Sequence, residues 1–311
     1  MSIIIPVYNG ANYMRKAIDS ALAQTYPNTE IIVVNDGSRD DGETEKIALS
    51  YGDKIRYIHK ENGGVSSALN TGIRNMKGKY FSWLSHDDEY LPEKVYSQVK
   101  VLESTPDEKT IAICGMRFID SESKEISKKE YWGAKPEGVR LTWEQVLSEV
   151  LINSFGGCTL LIPKDAFDIS GLFDESLRYS QDYLMWVKIF LNKYSLIRSP
   201  GSHVCGRIHQ KQLTQTGSNI FHSDSLAIAK ILLDPLSQVS DGKNNFLKIY
   251  AVRNAIYDNP KVVDMYLARG KELGVITLAD RMYISFVGIY GAIRPAIKKL
   301  YYKLVRKISM K

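Results

Sequence analysis

The feature that most constrains the fold of this chain is a succession of short apolar runs, each broken off by a cluster of polar turn residues. Residues 3–7 (IIIPV) form a β-branched run ended by Tyr8-Asn9-Gly10, after which Met14, Ala17, Ile18, Ala21 and Leu22 recur at helical spacing. Glu30 to Val34 (EIIVV) is a second buried-strand pattern and ends in Asn35-Asp36-Gly37-Ser38. A third unit runs from Lys54–Ile58 through Glu61-Asn62-Gly63-Gly64 into a helix from Val65 to Met76. A fourth strand, Lys79 to Leu84, exits into Ser85-His86-Asp87-Asp88, with Pro92 placed as the first residue of the next helix.

Strands alternating with helices at this spacing predict an α/β fold with a mostly parallel sheet flanked by helices. Ligands of such sheets lie beyond the carboxyl ends of the strands, where all these polar clusters sit. They are expected to converge on one crevice. Past Thr110 the pattern predicts a strand to Met116, a charged, mobile stretch from Ser121 to Pro136, a helix over Thr142–Leu151, and a loop and strand over Gly156–Pro163. Ser180 then reads as the N-cap of a helix carrying Leu184, Val187 and Leu191, which puts Asp182 in its first turn. From about Phe221 the chain reads as helices only. The expected division is a catalytic domain over 1–215 and a C-terminal helical extension over 216–311.

Charge is concentrated at the end. Residues 294–311 hold seven cations and no acid, one more than the net charge of +6, so the rest of the chain is at −1. Within that tail Ile297, Leu300, Tyr301, Leu304, Val305 and Ile308 recur at helical spacing and predict a basic amphipathic helix. It suits an anionic membrane surface best, the alternative being a helix packed on the catalytic part or on a partner subunit. Nucleic acid is not expected, because no basic patch with interleaved aromatics appears elsewhere. The opening MSIIIPVYNG has neither a basic region nor a cleavage site and predicts no secretion signal, and Met282–Ile293 is about half the ~20 residues a spanning helix requires. Three scattered cysteines make no disulfide framework or zinc site and fit a reducing cytosol.

Several residues could carry chemistry. Asp87 and Asp88 offer hard oxygens suited to Mg²⁺ or Mn²⁺ bridging to phosphates, or else an acidic loop before a helix. Asp36 could accept from a base or ribose, or serve the turn. Asp182 could be a general base toward an acceptor hydroxyl, or a helix-start acid. His209 could touch a metal or a phosphate oxygen. No G-x-G-x-x-G follows the first strand, which speaks against a nicotinamide enzyme.

Taken together, four ordered segments resemble glycosyltransferase family 2, the GT-A fold enzymes: SIIIPVYNG, AIDSALAQTYPNTEIIVVNDGSRDD, ENGGVSSALNTGIRNMKGKYFSWLSHDDEYLPEKV and GLFDESLRYSQDYLMWVKI. The resemblance implies a nucleotide-sugar donor, with uracil as the usual base, and an Mn²⁺ or Mg²⁺ ion. It implies nucleotide binding by Pro6, Tyr8, Asn9, Asp36, Asn62 and Gly64, and metal contact by Asp87 with His209. Ser85, His86 and Asp88 fall near the diphosphate, Asp182 matches the catalytic base, and Gly156, Gly157, Cys158 and Gln181 fall on the acceptor side. Three departures stand out: Ser85 replaces the first acid of the D-x-D metal motif, Asn35 the first acid of an Asp-Asp-Gly-Ser run, and Gln181 the usual Glu before the base.

One base opposite a diphosphate leaving group implies displacement with inversion. A glycan or lipid-linked glycan acceptor, in bacterial surface polysaccharide synthesis at the inner face of the cell membrane, would suit the basic tail. The rivals are a sugar-phosphate nucleotidyltransferase, whose glycine-rich triphosphate loop is missing here, and an inactive nucleotide-sugar-binding scaffold, which Ser85 keeps open.

Overall fold

The structure is a computed structural model and describes residues 1–105, 107–131, 137–209, 220–241 and 244–290. The predicted helix over 294–311 lies outside these residues. Two compact units emerge: Met1–Val146 with Ser154–Ile220, and Leu147–Asn153 with Phe221–Lys311.

The first unit is built on one sheet of order β3 (Arg56–Lys60), β2 (Glu30–Asp36), β1 (Ser2–Val7), β4 (Tyr80–Trp83), β9 (Leu160–Pro163), β6 (Thr110–Ile119), β10 (Ser195–Arg207), β5 (Glu89–Tyr90). β1 (Ser2–Val7) is buried along its length and pairs in parallel with β2 (Glu30–Asp36) and β4 (Tyr80–Trp83). β2 pairs in parallel with β3 (Arg56–Lys60). Because successive strand residues face opposite sides, Ile3, Ile5 and Val7 join Met14, Ala17 and Ile18 of α1 (Met14–Leu22) in one core layer. Ile4 faces the other way, onto α3 (Gly64–Asn75), and a Cβ added at Gly72 would lie 2.4 Å from its Cγ2. Both faces of the sheet are therefore covered, as the unbroken apolar runs predict. A short α2 (Glu43–Leu49) lies between β2 and β3.

The other half of the sheet is mixed. β9 (Leu160–Pro163) inserts antiparallel between β4 and β6 (Thr110–Ile119), and β6 runs parallel to the long β10 (Ser195–Arg207). β5 (Glu89–Tyr90) and β8 (Arg140–Leu141) add antiparallel to β10. β7 (Glu125–Tyr131) pairs with β6, so the stretch expected to be mobile contains an ordered strand, held by the ladder donors of β6. Pro92 does not open the next helix: α4 (Lys94–Glu103) starts two residues later, after Thr25 N donates to Pro92 O and fixes the turn. Between β8 and β10 come α5 (Trp143–Ile152), α6 (Asp165–Ser170) and α7 (Gln181–Leu191).

The second unit is helical among its described residues: α8 (Ile220–Val239), α9 (Phe246–Ile256), α10 (Pro260–Glu272) and a helix over 278–290. Tyr250 of α9 and Tyr266 of α10 meet with their tilted rings 4.7 Å apart, and the Tyr266 hydroxyl donates to Ala229 O at 2.8 Å, which joins three helices. Asn245 caps α9 by accepting from Lys248 N.

Candidate active site

The strand ends do converge, and hydrogen bonds tie them together. Pro6 is buried inside β1, while Tyr8 and Asn9 just beyond it are exposed. Asn9 takes a left-handed φ of 49°, its amide donates to Ser38 Oγ at 2.9 Å, and its Oδ1 accepts from Arg39 N at 2.7 Å. The β1 and β2 loops thus form one wall. Asn35 is buried beneath it, accepting from Ser38 N and donating to the Tyr57 hydroxyl at 2.8 Å. The same Tyr57 hydroxyl lies 3.5 Å from Glu45 Oε1, to which it donates, so it can accept from the Asn35 amide at the same time.

Asp36 is 3% exposed and fully engaged. Its Oδ1 accepts from Lys60 Nζ at 2.8 Å and Gly63 N at 3.0 Å, and its Oδ2 from Gly64 N at 2.7 Å and Asn62 Nδ2 at 3.3 Å. A carboxylate has about four acceptor positions, and four donors fill them. Asp36 therefore caps the positive end of α3 and holds Asn62 and Gly64 in place. A nucleoside contact through this carboxylate requires one of those donors to give way. Gly64 sits at φ 86°, where a side chain would strain the backbone.

The loop after β4 is gripped from three sides. His86 packs under Gly10, where an added Cβ would lie 2.9 Å from the imidazole. Burial lowers the His86 pKa more than the Asp87 charge raises it. Asp88 Oδ1 accepts from Arg207 N at 2.9 Å and Oδ2 from the Cys158 thiol at 3.4 Å. Burial, with the neighbouring Asp87 charge, holds the Asp88 carboxyl above the usual range. The Ser85 hydroxyl and Cys158 Sγ are 3.4 Å apart, so Ser85 turns toward the thiol. Asp87 Oδ2 instead meets His209 Nε2, from beyond the end of β10, at 3.0 Å.

Arg207 organises this region. It is 1% exposed, its Nε donates to Asp87 O at 2.7 Å and its Nη1 to Asp120 O at 2.6 Å, its Nη2 reaches Glu89, and its guanidinium lies 4.7 Å over the Tyr13 ring. A planar fork of fixed donors is suited to binding several carbonyls at once.

On the opposite side, Gly156–Thr159 forms a tight turn against Trp83, and a Cβ on Gly157 would come within 2.3 Å of the indole. Trp83, Phe173 and Trp186 make an edge-to-face series, and Trp186 Nε1 donates to Phe155 O at 3.2 Å. Asn70 of α3 secures the segment before α7 through both Phe173 N and Phe173 O at 2.9 Å. α7 is thereby fixed against the turn, with Asp182 one helical turn ahead of Trp186.

Ser180 is the N-cap residue by position, but its side chain makes no capping bond; Asp182 Oδ1 accepts from Tyr183 N at 2.7 Å instead. Burial raises the Asp182 pKa to about 6. Gln181 is 6% exposed, and its Oε1 has no partner among the described residues.

Sequence reasoning missed Lys60, Asn70, Arg207 and Lys94. Lys94 is fully buried, with Nζ 2.5 Å from Ser82 Oγ, 3.3 Å from Leu160 O and 4.3 Å from the Tyr90 ring centre. The Tyr90 hydroxyl lies 2.5 Å from Trp83 O and 3.1 Å from Cys158 O, so this cluster braces the β4 end against the Gly156–Thr159 turn. One signal was legible: Lys60 faces Asp36 in the β2–β3 register, a strand-end acid and base at matching positions.

The sequence profile described as Glycosyl transferase family 2 matches residues 2–160, half of the chain. The chain belongs to glycosyltransferase family 2. This family-2 chain is 54% identical over 222 residues to a glycosyltransferase of Rickettsia prowazekii (strain Madrid E), a match covering 70% of this chain and 67% of that one. It is 35% identical over 211 residues to the glycosyltransferase GlyA of Streptococcus pneumoniae serotype 4, across 62% of this chain and 29% of GlyA. The fold is that of S. aureus TarS 1-349, solved in complex with UDP-GlcNAc: TM-score 0.67 and 15% identity over 96% of this chain and 91% of that one. The family fold is GT-A, with its α/β sheet flanked by helices.

Proposed function

We propose that this family-2 chain transfers a sugar with inversion from a nucleotide-diphosphate sugar, a UDP-sugar by preference, to an acceptor hydroxyl. The observation that carries this reading is the placement of Asp182: a single carboxylate, its pKa raised to about 6 by burial, at the start of α7, which Asn70 and Trp186 fix against the Gly156–Thr159 turn. A base poised near the working pH is both ionised and able to hold a proton. Asp182 takes the acceptor's hydroxyl proton as that oxygen bonds to the anomeric carbon. The bond from that carbon to the diphosphate oxygen breaks, and its electron pair leaves with the nucleoside diphosphate. Gln181 Oε1 would accept from the acceptor.

TarS with UDP-GlcNAc supports a uridine donor. The Asn9–Ser38 wall and the Asp36–Asn62–Gly64 corner are suited to the nucleoside, and Ser85, His86 and Asp88 to the diphosphate side. Asp87 with His209 is a donor set that fits Mn²⁺ or Mg²⁺, with the remaining positions left to water and phosphate oxygens. When bound, such an ion neutralises the leaving diphosphate. The uninterrupted positive charge after Asp280 supports work on a lipid-linked or surface glycan at the inner face of a bacterial membrane.

Calorimetric binding of UDP, dTDP and GDP, with and without Mn²⁺, tests the reading. UDP binding that Mn²⁺ strengthens, with the gain lost in Asp87→Ala, is the expected result. Failure of every nucleotide to bind overturns it. Ser85, with its hydroxyl turned to Cys158, favours a second reading as a binding protein without turnover. Turnover by the wild type that Asp182→Asn abolishes excludes that alternative.

A further inference from the structure

The helix over 278–290 is set rigidly at its start. Thr277 N and Oγ1 both donate to Asp280 Oδ2, at 2.9 and 2.7 Å, and Asp280 N donates back to Thr277 Oγ1 at 3.2 Å. This reciprocal cap satisfies first-turn donors that would otherwise fray. Lys248 of α9 pairs with Asp280, Ile284 is fully buried, and a Cβ on Gly288 would touch Ala255 at 3.8 Å. The inward face is therefore fixed, and so is the outward one.

That outward face is apolar. Leu278 (71% exposed), Met282 (61%), Phe286 (69%) and Ile289 (60%) project from it, flanked by Tyr283 and Tyr290. At roughly 100° per residue these six side chains occupy an arc of about 140°, opposite the buried Ile284. No charged residue falls within the arc. A contiguous exposed apolar face on a helix marks an interaction surface. None of the described residues covers it.

Charge decides among occupants. Residues 281–311 hold eight cations (Arg281 and the seven from Arg294 onward) and no acid. A second copy docking through the same face would bring two such segments together and repel itself. An anionic bilayer satisfies both properties at once: its acyl boundary takes the apolar arc, its phosphates take the cations, and tyrosines at the arc's edge are favoured at the headgroup level. We propose that the outward face of helix 278–290 embeds in the surface of an anionic membrane. The contact thus begins at Leu278, ahead of the basic tail. This deepens the membrane-surface placement proposed above and rests on it. It does not depend on which sugar is moved.

The full chain and the triple variant Met282→Ser, Phe286→Ser, Ile289→Ser are sedimented with vesicles of phosphatidylcholine alone or with about one third phosphatidylglycerol. All three positions are exposed, so the variant keeps its thermal unfolding. Expected are binding of the wild type to the anionic vesicles only, weakening with salt, and at least about a tenfold loss in the triple variant. Equal binding of wild type and variant overturns the proposal, leaving charge alone. So does absence of wild-type binding, or a wild-type dimer that the variant dissolves. UDP calorimetry on the same samples separates the two readings: vesicle binding without nucleotide binding sinks the transferase reading and leaves this one standing.

Discussion

His209 Nε2 lies 3.0 Å from Asp87 Oδ2, bridging 122 residues of sequence to join the exit of β10 to the loop after β4. Neither group is held by its own loop. Arg207, two residues before His209, donates to Asp87 O at 2.7 Å and so sets the spacing of the pair. Arg207→Lys loses the planar fork, and we expect about a 10–100-fold weaker Mn²⁺ effect on UDP binding, the usual loss when a group supporting a metal ligand is removed. Titrating Mn²⁺ against wild type and variant at fixed UDP measures this. Arg207→Met leaves Glu89 and two carbonyls without their buried donor, and unfolding in urea should show a loss of about 3–5 kcal/mol.

Asp182→Asn should lower turnover by about 10²–10⁴-fold while leaving UDP affinity unchanged, because a general base acts only on the attacking hydroxyl. The wild-type rate should fall about tenfold per pH unit below about 6, where Asp182 takes up its proton. Stability moves the other way. The folded-state pKa lies above the unfolded value of 3.8, so the folded chain holds the proton more tightly, and stability is lost as pH rises from about 4 to about 6. Asp182→Asn should therefore be more stable than wild type at neutral pH, by about 1–3 kcal/mol. Thermal unfolding at pH 4 and pH 7 checks the sign.

Asp36→Ala removes the acceptor of four donors, two of them the backbone amides of Gly63 and Gly64 at the start of α3. A loss of about 2–4 kcal/mol is expected in urea unfolding, since each hydrogen bond to a charged group is worth about 1.5–3 kcal/mol and water recovers part of it. UDP affinity should fall as the Asn62–Gly64 corner loosens. Asp36→Asn, which keeps the shape but turns one acceptor into a donor, should fall between Ala and wild type in stability.

Lys94→Met should be within about 1 kcal/mol of wild type at pH 7, whereas Lys94→Ala should cost about 2–5 kcal/mol through the cavity it leaves. Burial lowers the Lys94 pKa to about 8, so between pH 8 and about 10.5 the unfolded chain binds the proton that the folded chain has released. Wild-type stability should then rise with pH across that window, by up to about 3 kcal/mol, in an increment that Lys94→Met lacks. Urea midpoints at pH 7.5 and pH 10 of both proteins measure it.

Much of the first half-sheet was legible because its signals are local. IIIPV and EIIVV carry apolar runs, and KYFSWL one broken only by Ser82, each with turn residues at its end, and the chain needs only its own neighbours to make a strand there. β10 was not legible: Pro200-Gly201 interrupts its 13 residues and reads as a break, yet the strand continues because two bulges let it stay paired to β6. The two residues of β5, and the charged Glu125–Tyr131, become strands only because β10 and β6 present open ladder edges to them.

By itself, the sequence determined the family, the α/β alternation and the placement of Asn9, Asp36, Asp87 and Asp182 at strand or helix ends, since periodicity and turn chemistry act over a few residues. Only the tertiary structure decided what those side chains do. It filled Asp36 with donors drawn from 24 to 28 positions away, spent Asp88 on Cys158 and Arg207, and left Asp87 to His209. It also turned a stretch that composition marks only as too short to span a membrane into a helix with an apolar outward face. The reason is the same in each case: a hydrogen-bond partner or a covered face depends on which distant segments meet, and no local pattern records that meeting.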